Sequence, residues 1–278
     1  MSIVRVALLS DLHFEKWTWG TIWPPSIRWK AGLNSLLNPT RRFSGGWLPH
    51  FLDQWGKDPL DAICILGDLT VTGSLPELNG IQKVIDQISA LNVPLLILPG
   101  NHDHYVEGES HFRRIKATCV VHFDEISTYP LGKSWYWIGV DTSGGTFDVN
   151  LEGKLRHCLE RLSRKFELIV ASHFPLSQHV RNHHDRLSNN GSERFLKLLK
   201  EYKVSYHWHG HRHLAKISTV GQMCLIDAGS CALEGRGTWV SIDLQVREAQ
   251  LWERKKDEPF KRGTAFRNLE LKNLDSAF

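Results

Sequence analysis

Five short clusters in this chain combine side chains that bind metal ions, and each one follows an apolar run. They are Asp11-Leu12-His13, Gly67-Asp68, Gly100-Asn101-His102-Asp103, His173 and Gly210-His211-Arg212-His213. The clusters offer carboxylates, an amide oxygen and imidazoles, and they contain no thiolate. Mixed nitrogen and oxygen ligands suit Mn²⁺, Fe, Zn²⁺, Ni²⁺ or Co²⁺ and argue against a structural zinc site. Ligands in this number exceed the needs of one ion, but they fit two ions that share a carboxylate, an arrangement known to promote displacement at phosphorus.

Alternative readings exist for single members of these clusters. Asp11 and Asp68 are also residue types that occupy turns at strand ends. Near the end of the set, histidines alternate at 207, 209, 211 and 213, and on an extended chain all four side chains point to one side. His207 and His209 are therefore rival ligands to His211 and His213, or partners that orient the true ligands.

The clusters are expected at the ends of strands in an α/β fold. Short apolar runs alternate with helical stretches as far as Gly210, and the pattern after it is all β. A capping-box motif, Ser74-Leu75-Pro76-Glu77, predicts the start of a helix. Predicted strands are 3–9, 61–66, 93–98, 135–140, 167–171, 204–209, 216–220, 223–226, 238–244 and 246–252, with further helices at 151–165 and 192–202. Because ligands gather at the carboxyl ends of strands in open α/β sheets, the clusters are expected to meet in one site.

Two segments depart from this rhythm. Residues 14–57 form a long insertion that is rich in Trp, Phe and Pro and carries six basic against two acidic residues. It is either a satellite core over one sheet edge or a cap beside the metals, suited to a lipid-bearing anionic substrate, a membrane surface or a nucleobase. Residues 253–278 are charged and lack periodicity. We therefore expect one domain over 1–252, containing the insertion, and a C-terminal tail over 253–278.

Composition excludes several other classes of protein. The 278 residues are 41% hydrophobic and 23% charged, which is ordinary for a globular domain. A formal net charge of +4 gives no overall signal for a nucleic-acid partner. Five Cys without a C-x-x-C pair indicate reduced thiols rather than a disulfide framework. There is no apolar run long enough to span a bilayer and no signal-peptide pattern, so we expect a cytoplasmic protein.

The order of the clusters, D-x-H, G-D, G-N-H-D, H and G-H-x-H, resembles the calcineurin-like metallophosphoesterase superfamily. The resemblance extends from Asp11 to His213, and Gly229-Ser230 downstream also resembles the family. It implies a four-layer αββα sandwich of two mixed β-sheets flanked by helices. It also implies two divalent metal ions, with Mn²⁺ expected first and Fe, Zn²⁺, Ni²⁺ or Co²⁺ as alternatives.

The resemblance assigns a role to each site residue. Asp11, His13 and His213 would hold the first metal, Asn101, His173 and His211 would hold the second, and Asp68 would bridge the two. A water between the ions would be acidified into the attacking hydroxide. His102 would protonate the leaving group or stabilise charge in the transition state, and Asp103 would orient the His102 imidazole.

The expected function is hydrolysis of a phosphodiester, such as a cyclic nucleotide or a related small nucleotide. The G-N-H-D-x-Y form at 100–105 is similar to bacterial cyclic-nucleotide-phosphodiesterase-like members. UDP-2,3-diacylglucosamine pyrophosphatase of lipid A synthesis is the alternative, because the aromatic, basic insertion suits acyl chains, although many of those enzymes carry Arg where this chain has His102. A binding scaffold on the same fold, without catalysis, is a third class. The sequence leaves the metal identity and the oligomeric state open.

Overall fold

Two six-stranded β-sheets pack face to face, and helices lie on the outer side of each. The computed structural model describes residues 4–15, 45–57, 59–104, 115, 124–176, 187, 190–233, 237–255 and 258–266. In chain order its elements are β1 (Arg5–Leu9), α1 (Trp47–Lys57), β2 (Ala62–Leu66), α2 (Leu75–Ser89), β3 (Leu95–Leu98), a 3₁₀ turn (His102–His104), β4 (Ile126–Leu131), β5 (Trp135–Val140), α3 (Val149–Leu162), β6 (Glu167–Ser172), α4 (Gly191–Glu201), β7 (Tyr206–His209), β8 (Lys216–Val220), β9 (Met223–Asp227), β10 (Gly237–Asp243), β11 (Glu248–Arg254) and β12 (Lys261–Phe266).

Both sheets are mixed, and their parallel strands carry the polar clusters. The first sheet has the order β12-β11-β10-β1-β2-β3, and β1, β2 and β3 run parallel to one another. The second has the order β4-β5-β6-β7-β9-β8, with β5, β6, β7 and β9 parallel. Parallel strands end at the same edge of a sheet, so the residues after β1, β2, β3, β6 and β7 can meet.

Three apolar layers hold the sandwich together. Between the sheets, Leu8 and Leu66 belong to the same buried cluster as Trp137 and Trp208. Helices α1 and α2 cover the outer face of the first sheet, and α3 and α4 cover the outer face of the second. The predicted αββα arrangement of two mixed sheets is therefore confirmed. No helix among the described residues is long and apolar enough to cross a membrane.

The described part of the insertion, residues 45–57, contributes to the core on the outer face of the first sheet. Trp47, Phe51 and Trp55 recur every four residues along α1 and are 2%, 0% and 5% exposed. The rings of Phe51 and Trp55 make edge contacts with Trp239 of β10, at centroid distances of 5.6 and 4.7 Å. This half of the insertion fits the satellite-core interpretation. Residues 16–44, which include Arg41 and Arg42, lie outside the described residues.

Three elements were not anticipated from the sequence. Helix α1 lies inside the Trp-rich insertion, where the sequence predicts no element, although the buried residues of α1 recur with the periodicity of an amphipathic helix. Strand β4 contains Pro130, which lacks an N–H donor and is tolerated because β4 is an edge strand. Strand β12 lies inside the expected tail and pairs with β11, so the first sheet continues beyond Trp252. The division into a domain and a tail stays a prediction, since residues 267–278 lie outside the described part of the chain.

Replacing Phe51 by Ala tests the role of α1. The ring is fully buried, so F51A is expected to lower the free energy of unfolding by roughly 3–5 kcal/mol. The folded fraction is expected to keep its KM, because the ring packs on the sheet and not at the strand ends. D53A on the exposed side of the same helix is the control and is expected to change stability by less than about 1 kcal/mol. Equal effects in urea denaturation would contradict the packing role.

Candidate metal centre

The residues that follow the parallel strands have an unusual backbone conformation. Asp11, His13, Asp68, His211 and His213 have φ angles of 53°, 41°, 51°, 72° and 54°. Residues other than glycine seldom occupy this region, and each instance costs on the order of 1–3 kcal/mol unless the surroundings impose it. The sharp reversals turn the side chains inward at the strand ends, which is typical of a functional site.

Two glycines leave space for the carboxylates. A Cβ atom at Gly100 would lie 2.1 Å from Oδ1 of Asp68. At Gly210 it would lie 1.8 Å from Oγ of Ser10 and 2.6 Å from Oδ2 of Asp11. The G-N-H-D and G-H-x-H clusters therefore begin with glycine because the backbone of each passes directly against an aspartate.

Asp11, His13 and His213 form a first set of ligand atoms from both sheets. Oδ1 of Asp11 lies 2.9 Å from Nε2 of His213 and 3.6 Å from Nε2 of His13. The two imidazole Nε2 atoms are 3.2 Å apart. All three ligand atoms lie within 4.8 Å of one another. Two imidazole nitrogens that both carry lone pairs cannot hydrogen-bond to each other. Both can donate those lone pairs to one cation, so this set fits a metal ion.

Asp68, His173 and His211 form a second set, accompanied by Asn101. Nε2 of His173 lies 3.4 Å from Oδ1 of Asp68 and 3.1 Å from Oδ1 of Asn101. Nδ1 of His211 is 3.0 Å from the same amide oxygen and 3.3 Å from Nε2 of His173. The other ring nitrogen of His173 donates to the carbonyl of Leu66 at 2.7 Å, which fixes the ring so that Nε2 faces the site.

The outer oxygen of Asp11 is occupied by donors that leave Oδ1 facing the first set. The hydroxyl of Ser10 donates to Oδ2 at 2.6 Å, and the backbone N–H of His211 donates to it at 3.0 Å. Ser230 donates to the Asp11 carbonyl at 2.7 Å. Ser230 belongs to the Gly229-Ser230 pair, so this pair supports the strand end that carries Asp11. Ser10 was not recognised from the sequence, although it directly precedes the aspartate.

The electrostatics of the centre favour bound positive charge. Burial opposes ionisation of Asp11 and Asp68, but the surrounding imidazoles, His213 for Asp11 and His173 for Asp68, hold both pKa values below the usual range. Burial also disfavours a charged His173, yet the Asp68 carboxylate raises its pKa to about 10. In contrast, burial lowers the pKa of His13 to about 4, which keeps that imidazole neutral and able to bind a cation. The two buried carboxylates therefore attract positive charge at His173, and the neutral imidazole of His13 offers a lone pair, a combination that suits divalent cations.

His102 lies beside both sets, and its ring is held by a backbone carbonyl. Its Nδ1 donates to the carbonyl of Val71 at 2.7 Å, and its backbone N–H donates to Oδ1 of Asp68 at 2.9 Å. A ligand atom of His102 lies within 4.8 Å of ligand atoms of His13 and Asp68. The ring of His102 therefore faces the ligand clusters from the side of the loop after β2.

Asp103 has different partners from those expected. Its carboxylate accepts from the backbone N–H groups of Leu69, Thr70 and Gly100 at 3.1, 2.9 and 2.9 Å, and from the Thr70 hydroxyl at 2.8 Å. These donors take both oxygens, so Asp103 joins two loops, and the contact that orients the His102 imidazole comes from Val71 instead. Burial and the nearby Asp68 raise the pKa of Asp103 to about 6.

The two rival histidines, His207 and His209, contact residues outside the two sets of ligand atoms. Strand β7 ends at His209, and the positive φ angles at His211 and His213 end the extended alternation, so the four side chains do not share one side. His207 contacts the Ser172 hydroxyl at 2.9 Å, and His209 lies 4.0 Å from Asp227. Neither belongs to a cluster of possible ligands among the described residues.

Comparisons with known proteins agree with the geometry. Residues 4–215 match the family model described as calcineurin-like phosphoesterase. A search of curated proteins finds no match. Among solved structures, a dimetal phosphatase from Danio rerio is similar with a TM-score of 0.65 and 13% identity, covering 93% of this chain and 98% of that one. A purple acid phosphatase from yellow lupin (Lupinus luteus) seeds has a TM-score of 0.64 and 13% identity, covering 95% and 53%. GAP50 of Plasmodium, described as the anchor in the inner membrane complex, has a TM-score of 0.63 and 13% identity, covering 98% and 90%.

Adding one methyl group at Gly210 tests the close approach of this backbone to Asp11. In G210A the new Cβ would displace the Ser10 hydroxyl from Asp11, so metal affinity is expected to fall roughly 10–100-fold. Calorimetric titration with Mn²⁺ measures it. The control is G56A, because a Cβ there meets nothing within 4 Å, and it is expected to leave the affinity unchanged. Wild-type affinity in G210A would show that the Ser10–Asp11 contact does not shape the site.

Proposed function

The chain belongs to the calcineurin-like phosphoesterase family, and we propose that it hydrolyses a phosphodiester of a small nucleotide with the help of two divalent metal ions. Asp11, His13 and His213 would hold one ion, and Asn101, His173 and His211 the other. Mn²⁺ is the ion proposed first, because carboxylate and amide oxygens suit it, and Fe, Zn²⁺, Ni²⁺ or Co²⁺ are the alternatives, which the imidazoles also admit. We also propose a cytoplasmic location, as expected for a chain with reduced thiols.

The observation that carries this proposal is the position of Asp68. Its Oδ2 lies 3.7 Å from Nε2 of His13, on the side of the first set. Its Oδ1 lies 3.4 Å from Nε2 of His173, on the side of the second set. One carboxylate with an oxygen toward each set is the arrangement that a bridging ligand requires. The donor chemistry on both sides is the same mixture of imidazole and oxygen.

Bound divalent ions would supply a Lewis acid that activates water and neutralises the charge of the phosphate group. The chain's own residues would orient the group that protonates the departing oxygen. His102 presents its ring from the Val71 side, with Nδ1 committed to a carbonyl. In the doubly protonated ring, the other nitrogen, Nε2, carries the proton that would pass to the departing oxygen, which leaves a neutral ring with its hydrogen on Nδ1. The backbone N–H of His102 donates to Asp68 and thereby ties this residue to the metal ligands.

Nucleotide substrates remain the first choice, and the described part of the insertion weakens the lipid alternative. Trp47, Phe51 and Trp55 are buried against the sheet, so they are not available to hold acyl chains. A membrane or lipid contact through residues 14–57 would have to come from residues 16–44. A screen of cyclic nucleotides, nucleotide diphosphate-lipids and phosphopeptides with Mn²⁺ separates these substrates.

A binding scaffold on the same fold is the competing class. The fold alone does not separate the two, because GAP50, an anchor by its description, shares it with phosphatases. The two clusters of ligand atoms and the adjacent His102 favour an enzyme. Metal analysis together with turnover of bis-p-nitrophenyl phosphate decides between them, since a scaffold would show no turnover that depends on the metal.

Asp68→Asn tests the bridge. The amide keeps the size of the side chain but offers only one oxygen and no charge, so both metal sites are expected to weaken. Activity is expected to fall by at least about 100-fold, with an unchanged circular dichroism spectrum. Metal content by mass spectrometry and turnover of bis-p-nitrophenyl phosphate measure these effects. D86N on the exposed face of α2 is the control and is expected to behave as the wild type. Full metal content with near-normal turnover in D68N would overturn the assignment.

His102→Ala tests the proposed proton donor. General acids contribute roughly 10²–10⁴-fold, so kcat for methyl phenyl phosphate is expected to drop by that order. Methyl p-nitrophenyl phosphate has a better leaving group and is expected to lose much less. Both metals are expected to remain. Loss of a metal in H102A would instead make His102 a ligand, and equal losses on the two substrates would remove its role as an acid.

A further inference from the structure

Glu77 is a buried carboxylate close to the His102 loop that the proposed chemistry does not use. It lies in the first turn of α2 and is 1% exposed. The sequence explains it as the glutamate of a capping box, and its carboxylate does accept from the backbone N–H of Ser74 at 3.3 Å. The same oxygen, Oε2, also accepts from the backbone N–H and the hydroxyl of Thr72, at 2.9 and 2.6 Å. Two of these three contacts reach beyond the helix cap.

The contact with Thr72 acts on the peptide group that also holds His102. The N–H of Thr72 and the carbonyl of Val71 belong to one planar peptide unit, and in the trans form they point in opposite directions. Glu77 accepts from the N–H on one side, and Nδ1 of His102 donates to the carbonyl on the other at 2.7 Å. Fixing the N–H therefore fixes the direction of the carbonyl, and with it the His102 ring.

Neighbouring contacts keep this peptide from moving as a unit. Asp103 holds the backbone and hydroxyl of Thr70, and Glu77 holds Thr72 and Ser74, so Val71 is fixed from both sides. Gly73, with a φ of 70°, packs so closely that a Cβ there would lie 2.4 Å from the carbonyl oxygen of Asp103. The loop over residues 70–74 thus has one arrangement relative to the His102–Asp103 backbone.

We infer that Glu77 is a positioning residue for His102, acting through the Val71–Thr72 peptide group. A carbonyl oxygen only accepts hydrogen bonds, so the carbonyl aimed by Glu77 keeps one hydrogen of the doubly protonated His102 ring on Nδ1. The second hydrogen, on Nε2, is the one that passes to the leaving group. This inference rests on the proposed role of His102 as proton donor. A residue that only capped α2 would affect stability and nothing at the His102 ring.

The test compares E77A with D148A, which removes the N-cap of α3 on the outer face of the second sheet. Asp148 accepts from the N–H groups of Asn150 and Leu151, so D148A matches the loss of a helix cap. E77A is expected to lower kcat roughly 10-fold for methyl phenyl phosphate and less than about 3-fold for methyl p-nitrophenyl phosphate, a part of the usual effect of a general acid. D148A is expected to leave the ratio of the two substrates unchanged. E77Q keeps an oxygen acceptor and is expected to restore most of the loss.

A double-mutant cycle links the effect to His102. In the H102A background, E77A is expected to add less than about a 2-fold loss in kcat for methyl phenyl phosphate, because the group that it positions is gone. A full 10-fold further loss would overturn the inference, and so would an unchanged substrate ratio in E77A. If E77A does not fold, T72V removes the hydroxyl donor to Glu77 and serves in its place, with a roughly 3-fold loss expected on methyl phenyl phosphate alone.

Nuclear magnetic resonance gives a readout that does not depend on turnover. In Zn²⁺-loaded protein labelled with ¹⁵N-histidine, the Nδ1–H signal of His102 is identified by its disappearance in H102A. The signal is expected to persist in the wild type, E77Q and D148A, and to broaden or vanish in E77A. If H102A lost equal activity on the two substrates, the proposed acid role of His102 would be wrong. The Nδ1–H signal would still test whether Glu77 positions the His102 ring. An unchanged signal in E77A would overturn the positioning role.

Discussion

Burial of two aspartates at the strand ends is the constraint on which the rest of the structure depends. Asp11 and Asp68 follow neighbouring parallel strands of the first sheet and are 0% and 2% exposed. A buried carboxylate without a compensating partner is expensive, by several kcal/mol or more. The compensating imidazoles of His173, His211 and His213 come from the second sheet. The two sheets must therefore pack with these strand ends at the same edge, and the core between them serves this alignment as well as stability.

Hydrogen bonds from buried polar groups fix the loops at this edge. The outer oxygen of Asp11 is occupied by Ser10 and the His211 backbone, and Asp103 joins the loops after β2 and β3. These contacts surround the strand ends where Asp11, Asp68 and the two G-H-x-H histidines have left-handed backbone conformations. Side chains that are held in place before substrate arrives need little reorganisation during reaction, which is where most catalytic electrostatic stabilisation arises. The strain in the backbone thus accompanies a site that is organised in advance.

The alternation of apolar strands with helices predicted an α/β sheet, and the resemblance of the ordered polar clusters to the metallophosphoesterase superfamily implied the four-layer fold. The sequence also predicted which residues would lie together, since parallel strands end at one edge. It did not predict the hydrogen bonds of His102 and Asp103. The partner of the His102 ring is the carbonyl of Val71, which any residue type could supply. The G-N-H-D motif does not show that the Asp103 carboxylate accepts from the N–H groups of two loops. The alternation of His207, His209, His211 and His213 was misleading, since β7 ends at His209. Strand β12, exposed over most of its length, is defined by pairing with β11 and has no apolar signature of its own.

The central claim is that Asp68 joins two cations held by residues from both sheets. Crystals of the Mn²⁺-loaded protein, measured with anomalous diffraction at the manganese edge, test it directly. The account predicts two anomalous peaks roughly 3.5–4 Å apart on either side of the Asp68 carboxylate. One peak should be bounded by Asp11, His13 and His213, and the other by Asn101, His173 and His211. A single peak, or a peak coordinated by His207 or His209, would contradict the account.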